Sequence, residues 1–366
     1  MTYSTATHSP ARFRARLSAL AVIAALGLTA CAPLGEPHPG DDDPVTLVVH
    51  NSFVDAKAFE KAASEATGYT VKVITAGDGG ELTNKLVLTK GAPIADAFFG
   101  VDNTFASRLI SNDVTQPITP TSLPARAARL AAEIAPGATA LPLVPIDMGA
   151  TCVNIDTAWF AAQGLAEPET FEDLADAKYK DLAVLIDPTA SSTGASFMIA
   201  TIAKFGENGF ADYWKSLVAN GARLAQGWSD AYYEEFTGGG NAGTRPIVLS
   251  YSTSPAFTVN EAGSESTTRA LLGTCSTQVE YAGVLKGAKH AKGAEAVVNY
   301  LLSSEFQSSI PDEMYMYPVD EALLLPGSWA TFAPLPAEGT THDLAPAKIE
   351  AGLPGWLRTL GAAIGL

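Results

Sequence analysis

The chain has 366 residues, of which 47% are hydrophobic and 17% charged, with 23 basic against 39 acidic side chains. That length suits two domains or one large one, and so large an apolar share can offset chain entropy, which excludes low-complexity disorder for most of the chain. A formal charge of −16 argues against nucleic-acid binding, which needs bases to neutralise phosphates, and against electrostatic docking on anionic lipid.

The first element is an export signal. Residues 1–30 hold no acid and place Arg12, Arg14 and Arg16 ahead of an apolar stretch from Leu17 to Leu28, too short for a stable span. The stretch ends in Leu28-Thr29-Ala30-Cys31. This resembles a bacterial lipobox, in which a cysteine after a small-residue cleavage site receives diacylglycerol. The expectation is an exported lipoprotein, tethered to the outer face of the cell membrane through Cys31 or else periplasmic. An ordinary signal cut near Ala30 is the alternative. Losing residues 1–30 takes the formal charge from −16 to −19. No later segment approaches the roughly 18 apolar residues of a membrane-spanning helix. Residues 31–44, rich in Pro, Gly and Asp, read as a flexible linker.

From Thr46 the pattern alternates between strand and helix. Thr46 to His50 is a short apolar strand ending at Asn51-Ser52-Phe53, and Ala56 to Ala66 has helical spacing with Phe59 and Ala63 on one face. Thr70 to Thr75 reads as a strand, Gly77-Asp78-Gly79-Gly80 as a loop opening a helix over Glu81 to Thr89, and Ala95 to Val101 as a further strand. Short loops between such elements predict an α/β lobe with a largely parallel sheet. Ligands on such sheets sit at the carboxyl ends of the strands, where Asn51, Asp78 and Asp102 fall. The second half repeats the logic. Leu182 to Ile186 is a strand leading through Asp187-Pro188 and a Ser/Thr run to a helix near Ala195; that run offers hydroxyls and N–H groups to a polar ligand, or simply caps the helix. Arg245 to Tyr251 and Gln278 to Leu285 are strands, Lys292 to Leu302 a helix, and the Pro-rich tail from Leu325 ends in a short helix near Trp356.

After the signal, only Cys152 and Cys275 remain. An oxidising location permits a bridge, while two cysteines in a large domain are also compatible with separate buried thiols. There is no CxxC or HxxxH, and His38, His50, His290 and His342 are scattered singly, so no metal centre and no cofactor are expected.

The order of motifs resembles the thiamine-binding proteins, periplasmic or lipoprotein, that feed ABC importers. Asn51-Ser52-Phe53 is similar to the family's Asp-Ser-Phe. Asp78-Gly79, Leu82 to Leu86, Ala95-Asp96 and Gly100 to Asn103 follow in family order. Val144-Pro145-Ile146-Asp147-Met148-Gly149 resembles the family's Pro-x-Asp-Tyr-Gly crossing strand. Asp187-Pro188, Gly227 to Tyr232, Leu249 to Ala256, Gln278-Val279-Glu280 and Phe306 to Val319 complete the match. The resemblance covers roughly residues 45–320. It implies a type II periplasmic-binding-protein fold of two α/β lobes around an interlobe cleft, joined by crossing strands near Asp147 to Asp156 and Gln278 to Leu285. Residues 45–147 with 282–366 would form lobe 1, and residues 148–281 lobe 2. It further implies a non-enzymatic monomer that captures thiamine or its phosphates by hinge closure and passes it to an ABC permease and its ATPase.

A flat organic cation calls for a carboxylate, aromatic faces and directed hydrogen bonds. Carried over motif by motif, the resemblance makes Asp78 the candidate carboxylate, Trp228 and Tyr251 ring platforms, and Ser191 the group reaching the polar end of the ligand. Tyr315 stands where the family has Trp, and Asn51 where it has Asp. His50 replaces the family's Tyr, and the loop after Phe53 lacks the family's Trp. The competing ligand is a ferric ion, for which Tyr232-Tyr233-Glu234 offers hard oxygens. A secreted hydrolase is disfavoured by the lack of a Gly-x-Ser-x-Gly elbow, Ser52 beside His50 being too little for a triad. A purely structural lipoprotein is the third alternative.

Overall fold

Runs of Val, Leu, Ile and Phe at the strand positions leave both faces of the central strands buried, so helices cover the sheet. The computed structural model describes residues 43–240 and 242–366. Residues 1–30, expected to be an export signal, Cys31 and nearly all of the expected linker 31–44 lie outside the described residues. In chain order the strands are β1 (Val45–Val49), β2 (Val71–Thr75), β3 (Ala97–Asp102), β4 (Thr115–Gln116), β5 (Val144–Asp156), β6 (Ala183–Ile186), β7 (Arg223–Ala225), β8 (Ile247–Tyr251), β9 (Thr268–Ala270), β10 (Ser276–Leu285) and β11 (Tyr317–Pro318). The helices are α1 (Ala56–Thr67), α2 (Gly79–Leu88), α3 (Ala106–Ser111), α4 (Ala125–Ile134), α5 (Thr157–Gln163), α6 (Phe171–Leu174), α7 (Ser192–Phe205), α8 (Phe210–Ala219), α9 (Ala291–Leu301), α10 (Ser304–Met314), α11 (Trp329–Phe332) and α12 (Pro346–Ile364).

The main path of the sheet runs β2–β1–β3–β10–β5–β8–β6–β7. β1 is parallel to β2 and β3, and β6 is parallel to β7 and β8, as strand–helix alternation demands. Between these groups β10 lies antiparallel to both β3 and β5, and β5 antiparallel to β8. The parallel pairing expected within a lobe thus holds in the β1–β3 and β6–β8 groups, and the antiparallel pairs belong to the crossing strands, whose direction apolar patterning does not carry. β5 uses Val144–Thr151 against β10 and then Thr151–Ile155 against β8. β10 uses Ser276–Ala282 against β5 and Glu280–Val284 against β3. These two long strands cross between a lobe built on β1–β3 and a lobe built on β6–β8, the two-lobe α/β architecture expected.

Helix starts follow their caps. Asp78 accepts from Gly79 N–H and begins α2 two residues before the expected Glu81. Ser191 caps α7, which begins at Ser192 rather than near Ala195. The largest departure is the C-terminal helix, 19 residues long with Pro346 in its first turn and Pro354 inside it. Ile349, Leu353, Trp356 and Leu360 bury one face, and that packing against α8 and α3 outweighs the hydrogen bond Pro354 cannot make.

Cys152 in β5 and Cys275 just before β10 form a disulfide across 123 residues of chain. Replacing both by Ser is expected to lower the unfolding free energy by up to about 5 kcal/mol, the chain-entropy value for a loop of this size. Urea unfolding without reductant checks it; an unchanged midpoint would contradict it.

Candidate functional site

Asp78 closes the turn after β2 and points between the lobes. Its Oδ1 accepts from Gly79 N–H at 2.6 Å, from Ser192 N–H at 3.3 Å and from Ser192 Oγ at 3.4 Å. Its Oδ2 accepts from Trp228 N–H at 3.1 Å. One carboxylate thus caps α2 and holds the first amide of α7, where both helix termini favour negative charge. The lobes also touch through backbone: Glu81 N–H donates to Ala190 O at 3.0 Å. A Cβ on Gly80 would lie 2.7 Å from that same oxygen, so this approach requires glycine. Ser52 Oγ and Ser229 Oγ meet at 3.0 Å nearby.

Beside this latch the rings gather. Trp228 stacks on Tyr232 with centroids 5.1 Å apart and 15° between planes, and meets Tyr233 and Tyr315 edge-on at 5.3 and 5.4 Å. Tyr251 lies 5.9 Å from it. Trp228 Nε1 donates to Ser250 Oγ at 2.8 Å, so the indole is oriented as well as buried. Tyr315 ends α10 in the left-handed region at φ 62°, which directs its ring onto Phe257 at 3.6 Å, while Tyr233 Oη donates to Tyr315 Oη at 3.3 Å. Tyr232 and Tyr233 face different ways, 88° apart, yet both touch Trp228. Burial raises the Tyr232 and Tyr315 phenols above their ordinary range, which keeps them protonated.

Polar contacts lead from the rings to the sheet. Tyr251 Oη meets Thr193 Oγ1 at 3.1 Å and accepts from Gln278 Nε2 at 3.3 Å; the same Nε2 is 3.4 Å from Glu280 Oε1. Glu280 Oε2 is 3.4 Å from His50 Nε2, and His50 Nδ1 accepts from Ser52 N–H at 3.1 Å. Burial lowers the His50 pKa, but the Glu280 charge and hydrogen bond, with the Asp78 charge, outweigh it and leave the imidazole above its ordinary 6.5. Burial pushes Asp102 up to about 8; the Thr104 hydroxyl opposes this, and the Glu280 charge adds to it. Asp147 stands well above the usual carboxylate range, through burial and the Glu280 charge.

Trp228, Tyr251 and Tyr315 are therefore brought together, with Asp78 bonded to the Trp228 amide. Ser191 is fully buried, and its Oγ accepts from Gly194 N–H at 3.5 Å, as a cap does. Asn51 sits in an exposed turn, its N–H donating to Gly77 O. His50 and Ser52 make no nucleophile–base contact: the imidazole accepts the Ser52 amide, and the Ser52 hydroxyl meets Ser229. A cleft of about 590 Å³ lies elsewhere, between Leu271–Gly273 and Thr331–Phe332, with Ser252 in its wall and none of the expected site residues lining it. Sequence reasoning assigned no role to Gln278, Glu280, Asp147 or Phe257. Asp147 and Gln278-Val279-Glu280 did stand among the motifs that carry the resemblance, but what brings them to the rings is strand register, and Phe257 enters by ring contact.

With this geometry in view, residues 92–335 match the family model described as bacterial extracellular solute-binding protein. The chain belongs to that family. Members bind solutes outside the cytoplasm rather than transform them. Among curated relatives, the "Thiamine-binding periplasmic protein" of Salmonella typhimurium is 26% identical over 86% of this chain and 91% of its own length. Its Escherichia coli namesake is 24% identical over the same shares. Among solved structures, a "Periplasmic thiamin binding protein" superposes with TM-score 0.72 at 23% identity, covering 87% of this chain and 96% of its own. Iron-bound HitA from Pseudomonas aeruginosa reaches 0.65 at 21% identity, covering 87% of this chain and all of its own. At these identities the structural likenesses speak for the shared fold.

Two outcomes follow from the site of this solute-binding protein. Gly80→Ala is expected to hold the lobes apart at Ala190, enlarging the radius of gyration in small-angle scattering; an unchanged radius would contradict the contact. His50 and Asp102 both hold protons more tightly folded than unfolded, so stability falls as pH rises. The Asp102 share declines from about pH 4 to about 8, and the His50 share, full below 6.5, is lost as pH passes its raised value. Melting temperature should therefore fall between pH 5 and 8 in the wild type and fall less in Asp102→Asn.

Proposed function

We propose that this chain captures thiamine, or its phosphates, outside the cytoplasm and delivers it to an ABC permease by hinge closure, as a lipoprotein held through Cys31. One observation carries the reading: Trp228, Tyr232, Tyr233, Tyr251 and Tyr315 form a ring cluster where the lobes meet, next to the carboxylates Asp78 and Glu280. Rings attract a cation through their π faces, and carboxylates supply its counter-charge. The names of the curated relatives point the same way. In this reading lobe 1 comprises 45–147 with 282–366, lobe 2 comprises 148–281, and the β5–β10 crossing is the hinge. Ligand favours closure to the extent that it interacts better with the closed form. The chain acts as a monomer, and Ser191 and Asn51 belong to the binding surface of the open form.

A ferric ion is the second reading, supported by the adjacent tyrosines and the iron-bound structural neighbour. Against it, burial disfavours the Tyr232 phenolate that iron would need, and among the described residues no cluster of three or more His, Cys, Asp or Glu is disposed to hold a metal.

Titration calorimetry with thiamine, thiamine phosphate, the free aminopyrimidine and Fe³⁺ separates the readings. Saturable heat with thiamine, lost at least tenfold in affinity (about 1.4 kcal/mol) by Trp228→Ala, is expected. Heat and a visible phenolate band with Fe³⁺, without heat from thiamine, would replace thiamine by iron.

A further inference from the structure

Three carboxyls lie side by side across the middle of the sheet. Glu280 of β10 stands opposite Asp102 of β3 on one side and opposite Asp147 of β5 on the other. Directly opposed residues project from the same face, and these three are 4%, 0% and 0% exposed. Like charges so placed in a low-dielectric interior cannot all ionise. Among the described residues no lysine or arginine pairs with any of them, and the basic partner is His50 at the end of β1.

The row is rich in acceptors that lack donors. No amide, amine or hydroxyl of the described residues donates to either Asp147 oxygen, and Gln278 Oε1, wholly buried, is likewise without a donor. Gln278 is also the link to the rings, since its Nε2 joins Tyr251 Oη to Glu280 Oε1. Asp78, by contrast, has its oxygens taken by Gly79, Ser192 and Trp228. A ligand that carries both a positive charge and N–H donors would find unpaired acceptors beside the Glu280 carboxylate, which Asp78 does not offer.

We propose that Glu280 is the specificity-determining carboxylate for the ligand's positive charge, with Asp147 and Gln278 Oε1 accepting its N–H donors, and that protonated His50 neutralises Glu280 whenever no ligand is bound. The inference rests on the organic-cation reading given above. Its consequence is a proton count. His50 Nδ1 accepts the Ser52 amide, so Nε2 carries the proton that faces Glu280. An arriving cation makes that proton surplus, and the imidazolium releases it to solvent as the ligand's charge takes its place. Besides Glu280, Asp78 from the α2 terminus acts on His50, while Asp102 from β3, Asp147 from β5 and the Tyr251 phenol from β8 face Glu280. Those whose value is displaced are raised, so near neutral pH they stay protonated and leave Glu280 and Asp78 as the charges that hold the His50 proton.

The test is calorimetry of the full mature protein with thiamine near pH 7, repeated in buffers of different ionisation enthalpy. Wild type is expected to release a substantial fraction of one proton per thiamine and none on binding the uncharged aminopyrimidine. Thiamine binding by His50→Gln, at whatever affinity it retains, should release no proton. Glu280→Gln should weaken thiamine at least tenfold with its melting temperature retained, and Glu280→Asp should recover part of the loss. Should Glu280→Gln fail to fold, proton release by the wild type still decides. Thiamine binding without proton release, or unweakened binding by a folded Glu280→Gln, overturns this inference and leaves the proposed function standing. No thiamine binding by the wild type overturns both.

Discussion

The site depends on the antiparallel pairing of β5 with β10. Each strand is long enough to serve two neighbours in succession, so the pair carries hydrogen bonding without a break from the β1–β3 group to the β6–β8 group. Loops joining the lobes would leave their separation to chain entropy; two paired strands restrict it to bending. The Cys152–Cys275 disulfide reinforces the same crossing. The same crossing places Gln278, Glu280 and Asp147 at the centre of the sheet, with Gln278 bonded to the Tyr251 hydroxyl.

Two kinds of polar contact then divide the work between the lobes. Asp78 is a satisfied carboxylate, and its hydrogen bonds to Ser192 and Trp228 exist only when the lobes meet. In the row of Asp102, Glu280 and Asp147, Gln278 and His50 engage Glu280 while both Asp147 oxygens lack donors, and surrounding packing keeps the row in place, since burying opposed carboxyls costs stability. The aromatic cluster has the opposite character: Trp228 is held by stacking and by a single hydrogen bond to Ser250, and its neighbours come from the π-turn Asp230–Glu235, from β8 and from the end of α10.

The acidity of the chain bears on this only in part. A net charge of −16 favours a cation over an anion at the surface, but screening limits that field to about 8–10 Å at physiological salt. A field of that range cannot choose between one cation and another, so for the cation proposed above selection would fall to ring geometry and carboxyl placement within the crossing.

Much of this was legible in the residues. Strand–helix alternation gave the α/β class, turn chemistry located Asp78 and the Ser191 cap, and the order of motifs pointed to Trp228, Tyr251 and Tyr315 as members of one site, which the ring contacts bring together. These are local properties, set by periodicity, capping and residue type within a few positions. What the tertiary structure alone decided was register and approach. Asp102, Asp147 and Glu280 are far apart in sequence and become neighbours only because β3, β10 and β5 pair at particular residues. The direction of β5 and β10, the length of α12 across Pro354, and the meeting of Gly80 with Ala190 likewise follow from packing between distant segments. Such contacts carry no local signature, because the free energy that selects them comes from surfaces the chain brings together only on folding.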